Sequence, residues 1–257
     1  MKVVIFAGGM GTRLMEETKL IPKPMVEIGG KPILWHILKI YAEQGFNEFI
    51  ICCGYKGNII KEYFINYMLI NSDFSISTYD SKITIHKNHQ DNFNITFVDT
   101  GYNTNTAGRL KKIKPYLNET FMLTYGDGVA DININELISF HKQHKRLVTL
   151  TAVKDRSRYG ELHIDEQGFV NKFEEKPEGY EKFINGGFFV MEMGIFDFLQ
   201  GDVENTQFER EPLAAVCSAK QLSAYKHLGY WQSMDSLRDK SKLETIWNIN
   251  KAPWKIW

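Results

Sequence analysis

The chain has few cysteines and no excess of charge of either sign. Cys52, Cys53 and Cys217 are odd in number and lack the spacing of a metal site, so we expect three reduced core residues. The 31 basic and 31 acidic residues cancel, which argues against a general electrostatic attraction to nucleic acid or to an anionic membrane. Any bound phosphate must therefore be held by local residues.

Long hydrophobic runs are absent as well. No apolar stretch reaches the roughly 18 residues of a membrane span, and the apolar start at residues 1–6 is too short for a signal peptide. We expect a cytoplasmic protein without a membrane partner. The sequence also lacks repeats and any linker rich in proline, glycine or serine, so its 257 residues are predicted to form a single domain.

Apolar runs and amphipathic stretches alternate along the first two thirds of the chain. This alternation predicts an α/β fold, a Rossmann-like three-layer mixed sheet that is flanked by helices and is parallel in its first part. From about residue 155 shorter strands predict a small C-terminal β/α portion. Residues 72–92 interrupt the alternation as a hairpin-like insertion whose role stays open. The predicted strands are 3–6, 48–53, 95–98, 121–125, 147–153, 160–165, 169–174 and 185–192, and the predicted helices are 32–44, 58–70, 133–145 and 237–249.

Glycines cluster directly after the first strand, in the run from Gly8 to Gly11. At the carboxyl end of a strand they let backbone N–H groups reach a ligand where a Cβ atom would collide. Arg13 adds a planar fork suited to phosphate oxygens, and Lys23 adds a point charge. The pattern indicates a triphosphate site, with ordinary turn chemistry as the alternative.

Two better-known glycine motifs do not match this loop. The Walker A motif requires Gly-Lys-Ser/Thr, whereas Thr12-Arg13 follows Gly11 here. The dinucleotide fingerprint requires a third glycine where this chain has Leu14, which disfavours an oxidoreductase.

Two aspartates are candidate ligands of a metal ion. Asp127 follows the strand 121–125 and is flanked by Gly126 and Gly128, which places its carboxylate at the ligand edge of the sheet. Mg²⁺ prefers one or two carboxylates, with phosphate and water as the other ligands. An ordinary turn is the alternative for Asp127, and a helix N-cap is the alternative for Asp235, which precedes the last predicted helix.

These motifs resemble the signature of the sugar-1-phosphate nucleotidyltransferases, also called sugar-nucleotide pyrophosphorylases. The glycine loop continues through Thr12-Arg13-Leu14, and Lys23-Pro24-Met25 follows it as in that family. The similarity covers nearly the whole chain and is strongest toward members that use CTP and glucose 1-phosphate. Its further blocks are 31–36, 49–57, 124–131, 185–190 and 234–240.

The resemblance implies a reaction, a cofactor and partners. A sugar phosphate attacks the α-phosphorus of a nucleoside triphosphate in line and pyrophosphate leaves, with Mg²⁺ as the cofactor. The expected substrates are CTP and a phosphorylated acceptor, with glucose 1-phosphate favoured, and CDP-glucose would enter lipopolysaccharide O-antigen or other surface-polysaccharide synthesis. A homo-oligomer, with a hexamer as its size, is implied too. Within the domain 1–257, residues 1–154 would bind the nucleotide, and 155–257 would bind the acceptor and include a C-terminal helical tail.

The resemblance also implies roles for residues. Asp127 and Asp235 are expected to hold the magnesium ion, while Lys23 steadies the α-phosphate. The expected catalytic residues are Arg13, Lys23, Asp127, Lys176 and Asp235. The expected nucleotide-binding residues are Ala7, Gly8, Gly9, Met10, Gly11, Thr12, Arg13, Lys23, Thr104, Arg109, Gly126 and Asp127. The expected acceptor-binding residues are Gly160, Glu175, Lys176 and Asn185, with Glu209 and Arg210 as further candidates.

This chemistry requires no histidine base, because a sugar phosphate is already ionised at neutral pH. We therefore expect His141 and His144 on a solvated helix face, and His36 in the core or at an interface. The tryptophans near the C-terminus must be covered by the chain itself or by a neighbouring subunit. They are Trp247, Trp254 and Trp257.

Two departures from the family pattern leave the acceptor open. Ala107 stands where the resembling sequences have glycine, and Glu161 adds a carboxylate beside the expected sugar site. A different phosphorylated acceptor or pyrimidine triphosphate is therefore an alternative. A nucleotide-binding homologue without catalytic activity is a second alternative, although the retained loop and carboxylates argue against it.

Overall fold

The computed structural model describes residues 1–11, 18–88, 91–154, 161–164, 170–174 and 182–257. The strands in these ranges are β1 (Val3–Phe6), β2 (Glu27–Ile28), β3 (Lys31–Pro32), β4 (Glu48–Cys53), β5 (Ser72–Ser77), β6 (Lys82–Asn88), β7 (Asn94–Asp99), β8 (Phe121–Tyr125), β9 (Gly128–Ala130), β10 (Val148–Lys154), β11 (Glu161–Ile164), β12 (Val170–Glu174), β13 (Phe183–Met191), β14 (Leu222–His227) and β15 (Trp231–Ser233). The helices are α1 (Ile33–Ala42), α2 (Gly57–Ile65), α3 (Tyr67–Ile70), α4 (Thr106–Lys112), α5 (Ile134–His144), α6 (Glu211–Ser218) and α7 (Leu237–Asn248), with 3₁₀ helices at Lys23–Met25, Lys114–Tyr116 and Met193–Phe198.

Seven strands form a central sheet in the order β14-β10-β13-β8-β1-β4-β7. β13 runs antiparallel to its neighbours β10 and β8, and the other neighbouring pairs are parallel. The predicted α/β class with a mixed sheet is therefore confirmed. The alternation of strands and helices in the first two thirds of the chain produces the parallel part, and β13 makes the sheet mixed.

The sheet separates two hydrophobic cores, because successive side chains of a strand point to opposite faces. In β1, Val3 and Ile5 belong to one core, whereas Val4 and Phe6 belong to the other. The first core includes the buried side of α1, and the second includes residues of α4 and α6. Because β1 is buried on both faces, it reads as a continuous apolar run in the sequence.

The four predicted helical segments are present with local differences, whereas α4 and α6 were not predicted. Pro32 precedes α1 instead of occupying its first turn. The predicted helix 58–70 is divided into α2 and α3 at Asn66, whose side-chain amide donates to the carbonyl of Glu62 over 2.9 Å. Asparagine side chains compete in this way for backbone partners, which favours a break in the helix. None of the helices in the described ranges has both the length and the apolar character that a membrane-spanning helix requires.

Both predicted hairpins are present. β5 and β6 pair antiparallel from Ser72–Asn88 to Ser77–Lys82, and the side chains of β5 are largely exposed. β11 and β12 also pair antiparallel. The predicted turn between β11 and β12 lies outside the described residues.

The C-terminal tail is covered by its own chain. Trp254 follows α7, is 1% exposed, and donates its indole N–H to His36 Nδ1 over 3.3 Å. The rings of Trp247 and Trp257 also contact His36. Of the two predicted ways of covering these tryptophans, the structure therefore shows the first, and His36 is a core residue.

The expectation for His141 is wrong. This side chain is 2% exposed. Its two ring nitrogens lie within hydrogen-bond distance of the Thr149 hydroxyl, at 2.8 Å, and of the Glu192 carboxylate, at 3.1 Å. His144 is exposed, as predicted. Periodicity alone did not show that the side of α5 that carries His141 packs against the sheet.

The cysteines are reduced, but they do not share one environment. Cys52 and Cys53 are buried in β4, as predicted, and Cys217 is exposed, which contradicts the expectation of a third core residue. Burial raises the pKa of Cys53 to about 11, so its thiol stays protonated at neutral pH. Cys217 is exposed because α6 buries its other side, through Leu213 and Val216.

Candidate active site

The glycine loop is fixed to the carboxyl end of β4. Ala7 donates its backbone N–H to the Cys52 carbonyl over 3.1 Å, and Tyr55 donates its N–H to the Gly8 carbonyl over 3.1 Å. The carboxyl ends of parallel neighbours lie at the same edge of a sheet, where ligands of α/β proteins bind. The loop therefore begins at the ligand edge, as the sequence predicted.

Arg109 connects this loop to neighbouring strand ends. Its guanidinium donates to the Gly8 carbonyl at 2.8 Å and to the Thr100 hydroxyl at 2.6 Å. It also donates to the carbonyls of Gly101, at 3.0 Å, and Cys53, at 3.2 Å. A Cβ atom on residue 8 would lie 2.1 Å from Arg109 Nη1, so the close approach requires glycine. Three backbone carbonyls and the Thr100 hydroxyl are thus the partners of the guanidinium.

Gly126 lets the end of β8 approach the same loop. It donates its N–H to the Phe6 carbonyl over 3.0 Å. A Cβ atom here would lie 2.8 Å from that oxygen and 3.1 Å from Pro24 Cγ. The absence of a side chain therefore places the next residue, Asp127, beside the segment that carries Lys23.

A short antiparallel ladder brings Asp127 and Asp235 together. β9 begins directly after Asp127 and β15 ends two residues before Asp235, with Gly128 paired to Ser233. Met234 then donates its N–H to the Asp127 carbonyl over 2.8 Å. Two carboxylates that are distant in the sequence are adjacent for this reason.

Lys23 lies between these two carboxylates. Its Nζ is 2.6 Å from Asp127 Oδ2 and 2.8 Å from Asp235 Oδ1. The Ser233 hydroxyl donates to the other Asp235 oxygen over 2.9 Å. Burial opposes the ammonium charge, but the contacts with Asp127 and Asp235 outweigh it and raise the pKa of Lys23 above its usual value. At neutral pH one positive charge therefore lies between two negative ones.

The N-cap alternative for Asp235 is not realised. Ser236 caps α7: its hydroxyl accepts from the Asp239 N–H at 3.3 Å, and the Asp239 carboxylate accepts from the Ser236 N–H at 3.1 Å. Because Ser236 fills this role, the Asp235 carboxylate can contact Lys23. Asp127 occupies the predicted turn and contacts Lys23 as well.

The chemistry of this donor set suits Mg²⁺. The ion takes one or two protein carboxylates and completes its octahedron with phosphate oxygens and water. Asp127 and Asp235 already converge on one positive centre, the ammonium of Lys23. Across the described ranges, no three His, Cys, Asp or Glu side chains are grouped so that they would hold a metal. A magnesium ion here would therefore take its other ligands from water or from substrate phosphates.

A cavity of about 330 Å³ opens beside these residues. Most of the described residues that were predicted to bind a nucleotide line it, but Gly8 lies against Arg109 and Met10 is 40% exposed. The lining residues are Phe6, Ala7, Gly9, Gly11, Lys23, Pro24, Thr104, Asn105, Thr106, Arg109, Tyr125, Gly126, Asp127 and Asp235.

Asn185, a predicted acceptor residue, is connected to the cavity through Tyr125. Tyr125 lines the cavity, and its ring lies against Gly187, whose N–H donates to Asn185 Oδ1 over 2.9 Å. The Tyr125 hydroxyl donates to Glu209 Oε1 over 2.5 Å, and the Thr106 hydroxyl donates to Glu209 Oε2 over 2.7 Å. Glu209 thus lies close to the site but contacts protein side chains, while Arg210 is exposed before α6.

Five residues with predicted roles lie outside the described ranges, and their roles stay predictions. They are Thr12, Arg13, Gly160, Glu175 and Lys176. The sequence analysis in turn missed Tyr125 and Thr106, which line the cavity. The available signal was their place in the sequence. Tyr125 directly precedes the predicted residue Gly126, and Thr106 is two residues after the predicted residue Thr104.

The comparisons with known proteins agree with this geometry. A family model described as nucleotidyl transferase matches residues 2–252. The chain belongs to the nucleotidyl transferase family. The glucose-1-phosphate cytidylyltransferases of Salmonella typhi and Salmonella typhimurium are each 51% identical to it over 259 residues, covering 100% of both chains. The family resemblance seen in the sequence is confirmed.

A solved structure supports the fold independently. The structure of UDP-glucose pyrophosphorylase complexed with UDP-glucose is similar to this chain with a TM-score of 0.67. The match covers 97% of this chain and 98% of the other at 17% identity. At this identity the similarity concerns the fold alone, and it confirms the Rossmann-like arrangement.

Proposed function

We propose that this protein transfers the cytidylyl group of CTP to the phosphate of α-D-glucose 1-phosphate, forming CDP-glucose and pyrophosphate. The observation that carries the proposal is the convergence of Asp127 and Asp235 on Lys23, beside a glycine loop in a cavity. The two relatives that are 51% identical over the full length are glucose-1-phosphate cytidylyltransferases, which supports this choice of substrates.

The chain's own residues would mainly align the substrates and balance their charge. An oxygen of the sugar phosphate forms a bond to the α-phosphorus of CTP, and the bond from that phosphorus to the β-phosphate oxygen breaks as pyrophosphate leaves in line. The attacking oxygen is already ionised, so no side chain has to remove a proton. The ammonium of Lys23 would offset the negative charge that develops at the α-phosphate, and backbone N–H groups of the glycine loop would face the phosphates.

Asp127 and Asp235 would hold the magnesium ion. Bound there, it supplies positive charge that neutralises phosphate oxygens. Lys23 shares the same two carboxylates, which keeps its ammonium at the cavity. We propose the roles implied by the resemblance for the residues outside the described ranges: Arg13 with Thr12 at the phosphates of CTP, Lys176 at the attacking phosphate, and Glu175 and Gly160 at the sugar.

Broader properties belong to the same proposal. We propose one domain with a nucleotide-binding half at 1–154 and an acceptor-binding half at 155–257, a cytoplasmic location, and a supply of CDP-glucose to surface-polysaccharide synthesis. We also propose a homo-oligomer, with six copies of the 29.8 kDa chain as the expected size. Sedimentation velocity tests the last point, and a single species with the mass of one chain would contradict it.

A substrate panel tests the central reaction. CTP, UTP, dTTP, ATP and GTP are each offered with glucose 1-phosphate and then with other phosphorylated acceptors, and magnesium-dependent pyrophosphate release is measured. We expect release with CTP and glucose 1-phosphate, with a product that has the mass of CDP-glucose. Release with CTP and a different acceptor would overturn the acceptor assignment. No release with any pair would favour the non-catalytic homologue.

A further inference from the structure

Contacts through Tyr125 connect the predicted sugar side of the site to Glu209. The Gly187 N–H donates to Asn185 Oδ1 over 2.9 Å. The Tyr125 ring lies against this turn, since a Cβ atom on residue 187 would be 2.5 Å from Tyr125 Cδ2. The Tyr125 hydroxyl donates its hydrogen to Glu209 Oε1 over 2.5 Å. The Glu209 carboxylate thus holds the side chain that packs against the turn of Asn185 and Gly187.

A second set of hydrogen bonds reaches the other oxygen of the same carboxylate from the predicted nucleotide side. The Phe208 N–H donates to Thr106 Oγ1 over 2.7 Å, which commits the Thr106 hydrogen to Glu209 Oε2, also at 2.7 Å. Thr106 is the first residue of α4 and lines the cavity with its neighbour Asn105. Glu209 therefore joins two walls of the site.

Only an ionised carboxylate can accept hydrogen bonds from both the Tyr125 and the Thr106 hydroxyl through its two oxygens. It accepts on two oxygens and donates nothing, whereas a glutamine amide offers one oxygen and a nitrogen that donates. Hydrogen bonds to a charged acceptor are also stronger than neutral ones.

We infer that Glu209 is a positioning residue for the transfer reaction. Through Tyr125 it fixes the turn of Asn185 and Gly187 on the acceptor side, and through Thr106 it fixes the first turn of α4 on the CTP side. The inference rests on the proposed function, because it assumes a sugar phosphate near Asn185 and CTP in the cavity. Glu209 acts through these two side chains and contacts neither substrate.

Steady-state kinetics of Glu209→Gln, Tyr125→Phe and the double variant test this inference. KM and kcat are measured for glucose 1-phosphate at saturating CTP, and for CTP at saturating glucose 1-phosphate. We expect Glu209→Gln to raise the KM of both substrates and to lower kcat/KM by about 10- to 100-fold, the effect of losing a hydrogen bond to a charged group. Because Glu209 acts on the acceptor through Tyr125, the double variant should lose no more affinity for glucose 1-phosphate than Tyr125→Phe alone.

Glu211→Gln is the matched control, since Glu211 is an exposed glutamate two residues further along the chain. It should retain the kinetics of the unmodified protein, and thermal unfolding should show all variants within about 4 °C of it. Unchanged kinetics in Glu209→Gln would contradict the inference. A KM for glucose 1-phosphate that rises in the double variant by the product of the two single effects would contradict it as well. An unmodified protein without turnover would instead contradict the proposed function itself.

Discussion

Lys23 holds the two carboxylates that a magnesium ion would also use, so lysine and metal stabilise the same pair of charges. We expect Lys23→Met to lower the melting temperature in the absence of magnesium, because two carboxylates then face each other without a cation. Magnesium should restore about 2–4 °C in this variant and less in the unmodified protein, since only the variant lacks an internal counter-charge. Differential scanning fluorimetry with a MgCl₂ titration measures both shifts. Equal shifts in the two proteins would show that the ion does not bind at these carboxylates.

Gly8 and Gly9 offer a matched pair at the loop. A Cβ atom on residue 8 would meet the anchored guanidinium of Arg109, whereas a Cβ atom on residue 9 has no atom within 4 Å. We expect Gly8→Ala to lower the free energy of unfolding by about 1–3 kcal/mol, the usual effect of overpacking. Gly9→Ala should leave that free energy unchanged. Urea unfolding of both variants measures the difference. Equal free energies of unfolding would contradict the close contact between the glycine loop and Arg109.

Single residues were predictable where their chemistry restricted the choice. Lys23, Asp127 and Asp235 were selected because phosphates and Mg²⁺ need cations and carboxylates, and the structure places the three together. His141 was misplaced, since helical periodicity does not show which edge of α5 faces the sheet. Tyr125 was overlooked because its partners come from distant segments of the chain.

At the scale of elements, a buried histidine of α1, His36, contacts the C-terminal tail. His36 is fully buried; its Nε2 lies 2.8 Å from the Ile28 carbonyl, and its Nδ1 accepts from Trp254. Burial, with a smaller effect from the charge of Lys255, lowers the pKa of His36 from 6.5 to about 4. The unfolded chain therefore binds a proton between these pH values that the folded protein does not bind.

This pKa shift predicts a loss of stability in acid. Because the folded pKa of His36 is the lower one, its contribution is complete above pH 6.5 and is lost as the pH falls toward 4, by roughly 3 kcal/mol at pH 4. In His36→Gln the amide can still donate to Ile28 but does not titrate. We expect the stability advantage of the unmodified protein to shrink between pH 7 and pH 4. An advantage that is constant with pH, in urea unfolding, would contradict a buried neutral His36.

The tail also contributes through Trp254, which is 1% exposed. We expect Trp254→Ala to lower the free energy of unfolding by about 3–5 kcal/mol, as for other large aromatic residues removed from a core. Ile256, two residues later, is 46% exposed. Ile256→Ala should therefore change the free energy of unfolding by less than about 0.5 kcal/mol. Chemical denaturation compares the two variants. A small effect of Trp254→Ala would mean that the tail is not part of the core.

Elements were predictable where apolar runs were long. β1, β4 and β8 match the predicted strands because each is buried on both faces of the sheet. The division between α2 and α3 was missed, because one asparagine inside an amphipathic pattern does not reveal whether its side chain will compete with the helix. The three-residue strands β9 and β15 are too short for any periodicity, although they join the two carboxylates.

At the scale of the whole molecule, the site depends on contacts between segments that are far apart in the sequence. The pairing of β9 with β15 brings Asp235 to Asp127, and β13 inserts between β8 and β10. Local patterns predicted six of the seven central strands, all except β14, but not this order, because strand order depends on long-range packing. The family resemblance supplied the pairing of the carboxylates that spacing alone did not give.

The pairing of these carboxylates in catalysis is tested most directly by pyrophosphate release from CTP and glucose 1-phosphate in Asp127→Asn and Asp235→Asn. Asp197→Asn is the control, because Asp197 is exposed in a 3₁₀ helix outside the cavity. We expect both carboxylate variants to fold and to lose about 100-fold or more in kcat, since charge stabilisation of this kind contributes at least that much. The control should keep full activity. Turnover at the unmodified rate in either carboxylate variant would contradict the account.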